Sequence, residues 1–228
     1  MALQTHDSVG NQPQGQRLHQ MAGVRFQRAA APLFLLYPAI PMIFMGEEFA
    51  SDSPFMFFAD FIAKNLRRSV NRGRRPEYPH HDWSNSIQPS NERAFTHSKL
   101  RMPDADCAML GWYKRLLVCR KDWQQRGILD PRQMQIHSDI GRGLVGISYP
   151  ADSGETQQSA FVVACLAAGE QNGVSSPVEL SEAEILLDSL QETSQKAVEA
   201  TGNRRDMSIQ MQSNHAIAGF GRLIPFGN

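Results

Sequence analysis

The residues best suited to chemistry stand in the first dozen positions. Leu3-Gln4-Thr5-His6-Asp7-Ser8-Val9-Gly10-Asn11 runs from a short apolar lead into adjacent His and Asp, then into a Gly-Asn turn. That pattern predicts the end of a buried strand delivering side chains to a site, and barrel enzymes carry their chemistry at the C-terminal ends of strands. A second apolar run ends in Glu47-Glu48. Those two acids could bind a substrate or hold the loop they begin. His80, His81 and Asp82 could bind a metal, but adjacent histidines seldom converge on one ion without further ligands, so no metal is expected there. Arg67, Arg68, Arg72, Arg74 and Arg75 could mark a polyanion site, or form a solvated face with one or two buried ion pairs.

Elements must position these residues. Phe26, Ala29, Ala30, Leu33, Phe34 and Tyr37 recur at helical spacing, which predicts a helix over roughly 20–37, kinked or split at Pro32. Met42-Ile43-Phe44-Met45 follows without alternation and reads as a short strand buried on both faces, as in a parallel sheet. Residues 1–18 read as a strand end and a long polar loop. Helix, buried strand and polar loop make the second half of a βαβ unit. Residues 49–105 have weak periodicity, with helices expected near 60–72 and 91–97 inside a long loop. Met109, Leu110, Tyr113, Leu116 and Leu117 predict an amphipathic helix over about 105–125. Beyond Gly127, short β-type runs at 144–149, 161–166, 183–187 and 216–224, separated by Gly, Ser, Asn and Asp, read as a small antiparallel β-sandwich. The expected domains are 1–127 and 128–228.

Composition narrows the classes. The 228 residues are 41% hydrophobic and 20% charged, ordinary values for a packed globular chain. The 23 Lys and Arg balance the 23 Asp and Glu. That balance gives no support to nucleic acid or anionic lipid as a partner. No apolar run approaches the about 18 residues of a membrane span, and no signal-peptide pattern opens the chain. Cys107, Cys119 and Cys165 are odd in number and widely spaced. They read as reduced thiols, which points to a cytoplasmic protein.

Together the motifs resemble a known family. Gln4-Thr5-His6-Asp7-Ser8-Val9-Gly10-Asn11 is similar to the His-Asp region at the seventh barrel strand of the α-amylase superfamily of glycoside hydrolases. Pro38-Ala39-Ile40-Pro41-Met42-Ile43-Phe44-Met45-Gly46-Glu47-Glu48 resembles that superfamily's motif at the eighth strand. Within the superfamily, the match is to the maltooligosyltrehalose trehalohydrolases. Further pieces carry it: Phe44-Met45-Gly46-Glu47-Glu48-Phe49, Pro54-Phe55 leading to Phe58-Ala59-Asp60-Phe61, Gly73-Arg74-Arg75-Pro76-Glu77-Tyr78, and Phe95-Thr96-His97-Ser98-Lys99-Leu100. The resemblance covers roughly residues 3–125. Beyond that, only position and β character match. Ser8 stands where these enzymes usually carry Gln, which weakens one expected sugar contact.

The resemblance implies a fold of α/β plus all-β class: the last two strand–helix units of a (β/α)8 barrel followed by an antiparallel β-sandwich. It implies a retaining glycoside hydrolase that cleaves the α-1,4 bond next to the trehalose unit of maltooligosyltrehalose, with no cofactor. Such enzymes use a nucleophile and an acid/base carboxylate about 5–5.5 Å apart. By the resemblance, Asp7 is a third carboxylate that stabilises the oxocarbenium-like transition state. His6, Gln4 and Glu47 are the expected substrate-binding residues. The family's nucleophile Asp and acid Glu lie before the matched region, so the chain alone is expected to be inactive. A chain supplying the missing barrel strands would complete it. A non-catalytic module that binds α-glucan or protein, or a remnant without function, are the alternatives. Phe55, Phe57, Phe58 and Trp83 could stack on glucose rings or pack in a core.

Overall fold

The computed structural model describes residues 1–102, 107–151, 159–166, 175–191 and 206–226. Its helices are α1 (His6–Gly10), α2 (Leu18–Ala22), α3 (Val24–Leu35), α4 (Lys64–Glu77), α5 (Glu92–His97) and α6 (Ala108–Gln125). Its strands are β1 (Gln135–Asp139), β2 (Leu144–Tyr149), β3 (Ala160–Cys165), β4 (Ser175–Asp188), β5 (Asp206–Gln212) and β6 (His215–Leu223). No helix among the described residues is long and apolar enough to cross a membrane.

Two compact units emerge, and neither is a continuous stretch of chain. One comprises Met1, Ala22–Pro41 and Ala108–Asn228; the other comprises Ala2–Met21 and Met42–Cys107. The helices α3 and α6 therefore group with the β strands, where the sequence placed a linear boundary near 127.

The first unit is built on one antiparallel six-stranded sheet in the order β1-β2-β3-β6-β4-β5. The strands β3 and β5 are not neighbours, yet they touch, so the sheet curls. Alternation sorts its residues by face. Phe161, Val163 and Cys165 of β3 and Ile217 of β6 meet Leu144, Val178, Leu180 and Met211 in a core fed by five strands. On the opposite face, Ala164 and Ala216 pair in register and pack with Ala29 of α3. Three alanines let the helix backbone approach the sheet closely. The β runs expected from sequence appear as β2, β3, β4 and β6. The strands β1 and β5 were not expected: Gln135-Ile136-His137-Ser138-Asp139 is short and mostly polar, and β5 alternates Met207, Ile209 and Met211 with Ser and Gln.

The helix α3 is continuous through Pro32, without the expected split. Proline removes the N–H that would bond the Arg28 carbonyl one turn earlier. The Trp112 indole Nε1 of α6 donates to that carbonyl instead, at 3.0 Å. The end of α3 is closed in the same manner. The Arg120 guanidinium donates to the carbonyls of Leu35, Tyr37 and Ala39 at 2.5, 2.8 and 2.7 Å. The Tyr149 hydroxyl donates to the Leu36 carbonyl at 2.6 Å. The helix α6 thus satisfies backbone groups that α3 cannot satisfy within itself. Trp123 of α6 meets Tyr149 and Phe220 with ring centroids 6.1 and 6.2 Å apart.

The second unit is short helices and loops. Residues 3–5 and 42–45 form no strand among the described residues, a difference from the two expected strand ends. A strand buried on both faces needs ladder partners on both edges, and no described segment pairs with either. The expected helices near 60–72 and 91–97 appear as α4 and α5, α4 reaching five residues further.

Candidate functional site

The His-Asp stretch folds as a capped helical turn. Thr5 has extended backbone and acts as the N-cap of α1. Its Oγ1 accepts from the Ser8 N–H at 3.1 Å, and the Ser8 Oγ accepts from the Thr5 N–H at 2.8 Å. This reciprocal capping box uses both hydroxyls and accounts for Ser8 locally. Between them stand His6 and Asp7, whose side chains are 70% and 76% exposed. His6 Nε2 lies 3.3 Å from Asp7 Oδ1. The helix buries Val9 and Gly10 beneath them.

Gln4 and Glu47, the other expected sugar-binding residues, are buried at 3% and 0% exposure. Gln4 Nε2 donates to Glu47 Oε2 at 3.3 Å, and Gln4 Oε1 accepts from the Leu18 N–H at 2.8 Å. The four expected residues therefore form two pairs: His6 with Asp7 on the surface, and Gln4 with Glu47 inside.

Two arginines hold this arrangement. Arg17 is fully buried. Its Nε donates to the Ser53 carbonyl at 2.6 Å and its Nη1 to the Met45 carbonyl at 2.9 Å. Burial pushes the Arg17 guanidinium below its ordinary range, and the charges of Glu48 and Glu47 pull it back up. The guanidinium also lies 5.5 Å from the Phe44 ring centroid. Gly46 sits at φ 85° beside it; a Cβ there would come within 2.7 Å of Leu100 Cδ1 and 2.9 Å of Ser51 Cβ. Only glycine fits that turn.

Arg74 is the buried member of the basic stretch. Its Nη2 donates to the Gly10 carbonyl and to Asn11 Oδ1, each at 2.9 Å. Its guanidinium lies 4.4 Å from the Phe57 ring and 5.2 Å from the Tyr78 ring. Arg74 thus closes the C-terminal end of α1. Arg67 pairs with Asp60 at 2.7 Å on the surface, while Arg68, Arg72 and Arg75 are exposed. The stretch is a solvated face with one anchoring arginine. The loop after α1 rests on the same segment: Gly15, at φ 64°, would drive a Cβ to 2.6 Å from the Phe55 carbonyl carbon.

The aromatics divide. Phe44, Phe55, Phe58 and Phe95 form a chain of edge-to-face contacts at 5.1, 5.9 and 5.3 Å. Trp83 Nε1 donates to the Tyr78 carbonyl at 2.9 Å. Phe57 and Phe58 keep about two fifths of their surface in solvent, at 41% and 39%. His81 stacks on Tyr78 at 5.7 Å. Among the described residues, no three His, Cys, Asp or Glu gather as a cation site. A polar cleft of the same unit is bordered by Gln14, Gln16, Gln20, Asp52, Asn85 and Arg93. Neither His6 nor Asp7 lines it.

No protein-family model matches the chain. The malto-oligosyltrehalose trehalohydrolase of Saccharolobus solfataricus is 38% identical over 121 residues, which are 53% of this chain and 20% of that protein. The enzyme of the same name from Deinococcus radiodurans is 34% identical over 127 residues, 53% of this chain and 21% of that one. That of Arthrobacter ramosus is 30% identical over 151 residues, 64% and 26%. The chain spans about a fifth to a quarter of the length of these relatives. A solved structure of a putative alpha amylase from Salmonella typhimurium superposes with a TM-score of 0.71 at 23% identity, covering 97% of this chain and 35% of that one. Isomaltulose synthase from Protaminobacter rubrum superposes at 0.53 and 14% identity, covering 97% and 43%. The structural likenesses establish a fold shared with alpha-amylase family enzymes.

Proposed function

From a chain that is, over about half its length, a relative of the malto-oligosyltrehalose trehalohydrolases, we propose that it serves a retaining glycoside hydrolase acting on maltooligosyltrehalose. In this reading, residues 1–127 correspond to the last two strand–helix units of a (β/α)8 barrel, whose strands form only against neighbours that this chain does not supply, and residues 128–228 correspond to the β domain. Asp7 accepts from substrate hydroxyls and stabilises the oxocarbenium-like transition state, and His6 donates a hydrogen bond to a neighbouring sugar hydroxyl. Differential binding of a distorted sugar ring is what such a pair contributes. Gln4 and Glu47, inside, support the turn that presents them. The nucleophile and the acid/base come from elsewhere, in a partner chain or a further segment. The observation that carries the reading is the 38% identity over 121 residues.

A second reading, a carbohydrate-binding module without turnover, is favoured by one feature. Asp7 is 76% exposed, and a solvated carboxylate lacks the enclosed, low-dielectric surroundings in which electrostatic stabilisation is strongest. Trehalose release from maltooligosyltrehalose separates the readings. The pure chain is expected to release none. Mixing it with a chain that carries the nucleophile and the acid restores release, and Asp7→Asn in this chain then abolishes it. Trehalose produced by the pure chain overturns the division of labour. A chain that binds the substrate but never restores release supports the binding module.

A further inference from the structure

The basic helix α4 carries no group that the sugar chemistry above requires, yet it is tied to the turn that does. Its outward side is charged and solvated: Lys64, Arg68, Arg72 and Arg75 are exposed. Its inward side holds Asn71 and Arg74, three residues apart and so on one face. Asn71 Nδ2 donates to Ser90 Oγ at 2.8 Å and to Gln88 Oε1 at 3.1 Å, and Asn71 Oδ1 accepts from the Ser90 N–H at 3.2 Å. These bonds fix α4 on the segment before α5. Nearly one turn further on, Arg74 reaches α1.

A single helical turn is marginal by itself, and its last carbonyls have no partner within it. The helix α1 is secured at both ends. At its start, Thr5 and Ser8 close the capping box. At its end, Arg74 Nη2 donates to the Gly10 carbonyl and to Asn11 Oδ1, each at 2.9 Å. The Asn11 N–H in turn donates to the Asp7 carbonyl at 2.9 Å. The guanidinium itself is held between rings, 4.4 Å from Phe57 and 5.2 Å from Tyr78. Gly10 lies flat on the same segment: a Cβ there would meet the Phe57 nitrogen at 3.7 Å and the Phe55 carbonyl oxygen at 3.8 Å. The exposed side chains of His6 and Asp7 thus stand on a turn whose far end is set by a buried residue of another helix.

We propose that Arg74 is a positioning residue for Asp7: it fixes the orientation in which the His6–Asp7 turn meets the sugar while itself staying buried. The proposal rests on the reading of Asp7 as a sugar contact. The test is an isothermal titration of the full chain with maltooligosyltrehalose, read beside the Cα chemical shifts of residues 6–10. It compares wild type with Asp7→Ala, Arg74→Met and Asn11→Ala. Methionine fills the space between the two rings with an apolar chain and deletes the donors. Arg74→Met is expected to unfold cooperatively, to lose the helical shifts of residues 6–10 and to bind about tenfold more weakly. Asn11→Ala, at a half-buried site, removes one acceptor of the same nitrogen and is expected to weaken binding about threefold. It carries the test if Arg74→Met does not fold. An Arg74 that serves stability alone lowers the melting temperature and leaves the affinity of the folded protein unchanged. Wild-type affinity in the folded variants, with weakened binding by Asp7→Ala, therefore overturns the positioning role and leaves the sugar reading standing. Lost affinity with the helical shifts intact makes Arg74 a direct contact and overturns it too. If Asp7→Ala binds as tightly as wild type, the sugar reading fails and the positioning role fails with it.

Discussion

At the residue scale, the unit carrying His6 and Asp7 is organised by a buried charge. Arg17 reaches the Ser53 and Met45 carbonyls and lies within the field of Glu47 and Glu48. Removing it leaves two buried carbonyls without their donor and takes a cation from beside Glu48 and Glu47. Arg17→Ala is therefore expected to destabilise the chain by about 3–5 kcal/mol in urea unfolding. Adding Glu47→Gln should recover part of that loss; a purely additive double variant contradicts the coupling. A second pair contributes to acid sensitivity. Burial works against the charged form of Asp188, but a hydrogen bond from His215 at 2.9 Å, the Leu190 N–H and the charges of His215 and Arg28 outweigh it and hold its carboxyl below the usual range. A depressed carboxylate contributes stability above its unfolded pKa, and that contribution disappears as pH falls below about 4. The melting temperature of the wild type should drop in that range, and Asp188→Asn should flatten the drop. His6 and Asp7 were legible in the sequence as a dipeptide with motif context, and both are exposed at the surface. Arg17 was not: a single arginine in a Gln-rich loop carries no periodicity, and its partners are backbone carbonyls more than 25 residues away, which side-chain identity does not encode.

At the element scale, α3 depends on α6. Pro32 leaves the Arg28 carbonyl without an intrahelical donor, and Trp112 fills the gap. Trp112→Phe keeps a six-membered aromatic ring but deletes the donor with the pyrrole half of the indole at a fully buried site, so it is expected to cost at least about 1–3 kcal/mol. In a Pro32→Ala background, which restores the N–H, the cost should shrink; an unchanged cost shows that the indole bond is not what compensates the proline. Sequence reasoning could not see what keeps the helix unbroken at Pro32, because the replacement donor lies 80 residues downstream, beyond any local rule. Of the helices, α3 and α6 were legible from their periodicity and α4 and α5 were expected near where they form, but α1 was not: residues 1–18 read as a strand end and a polar loop. The barrel-like strands were inferred from resemblance and apolar runs alone. Without paired neighbours, Met42-Ile43-Phe44-Met45 forms none. The helix α6 also carries a half-buried thiol, Cys119. Burial, then Asp122, push Cys119 up to about 12 against the pull of Arg126. At pH 8 it stays protonated, and its alkylation by iodoacetamide should be at least about a hundredfold slower than that of a free cysteine. Mass spectrometry of the timed reaction reads this directly, and rapid labelling of Cys119 contradicts the upward shift.

At the scale of the whole molecule, the sheet does not stand alone. Ala29 packs on Ala164 and Ala216, and Trp123 packs on Tyr149 and Phe220. Residues 128–228 produced by themselves would expose that face. They are expected to show no cooperative thermal transition, and a sharp one would mean that the β domain folds independently of α3 and α6. The linear division at residue 127 follows the change in sequence character. The compact units instead follow the helix faces, and these became visible only once alanine and tryptophan contacts were assembled in space. What most directly tests the proposed role of the chain is an isothermal titration with maltooligosyltrehalose, comparing wild type with Asp7→Ala. The proposal expects saturable binding by the wild type and affinity about tenfold lower in the variant, the loss of a charge-assisted contact. Equal affinity in both proteins, or no binding at all, contradicts the assignment of Asp7 to the sugar.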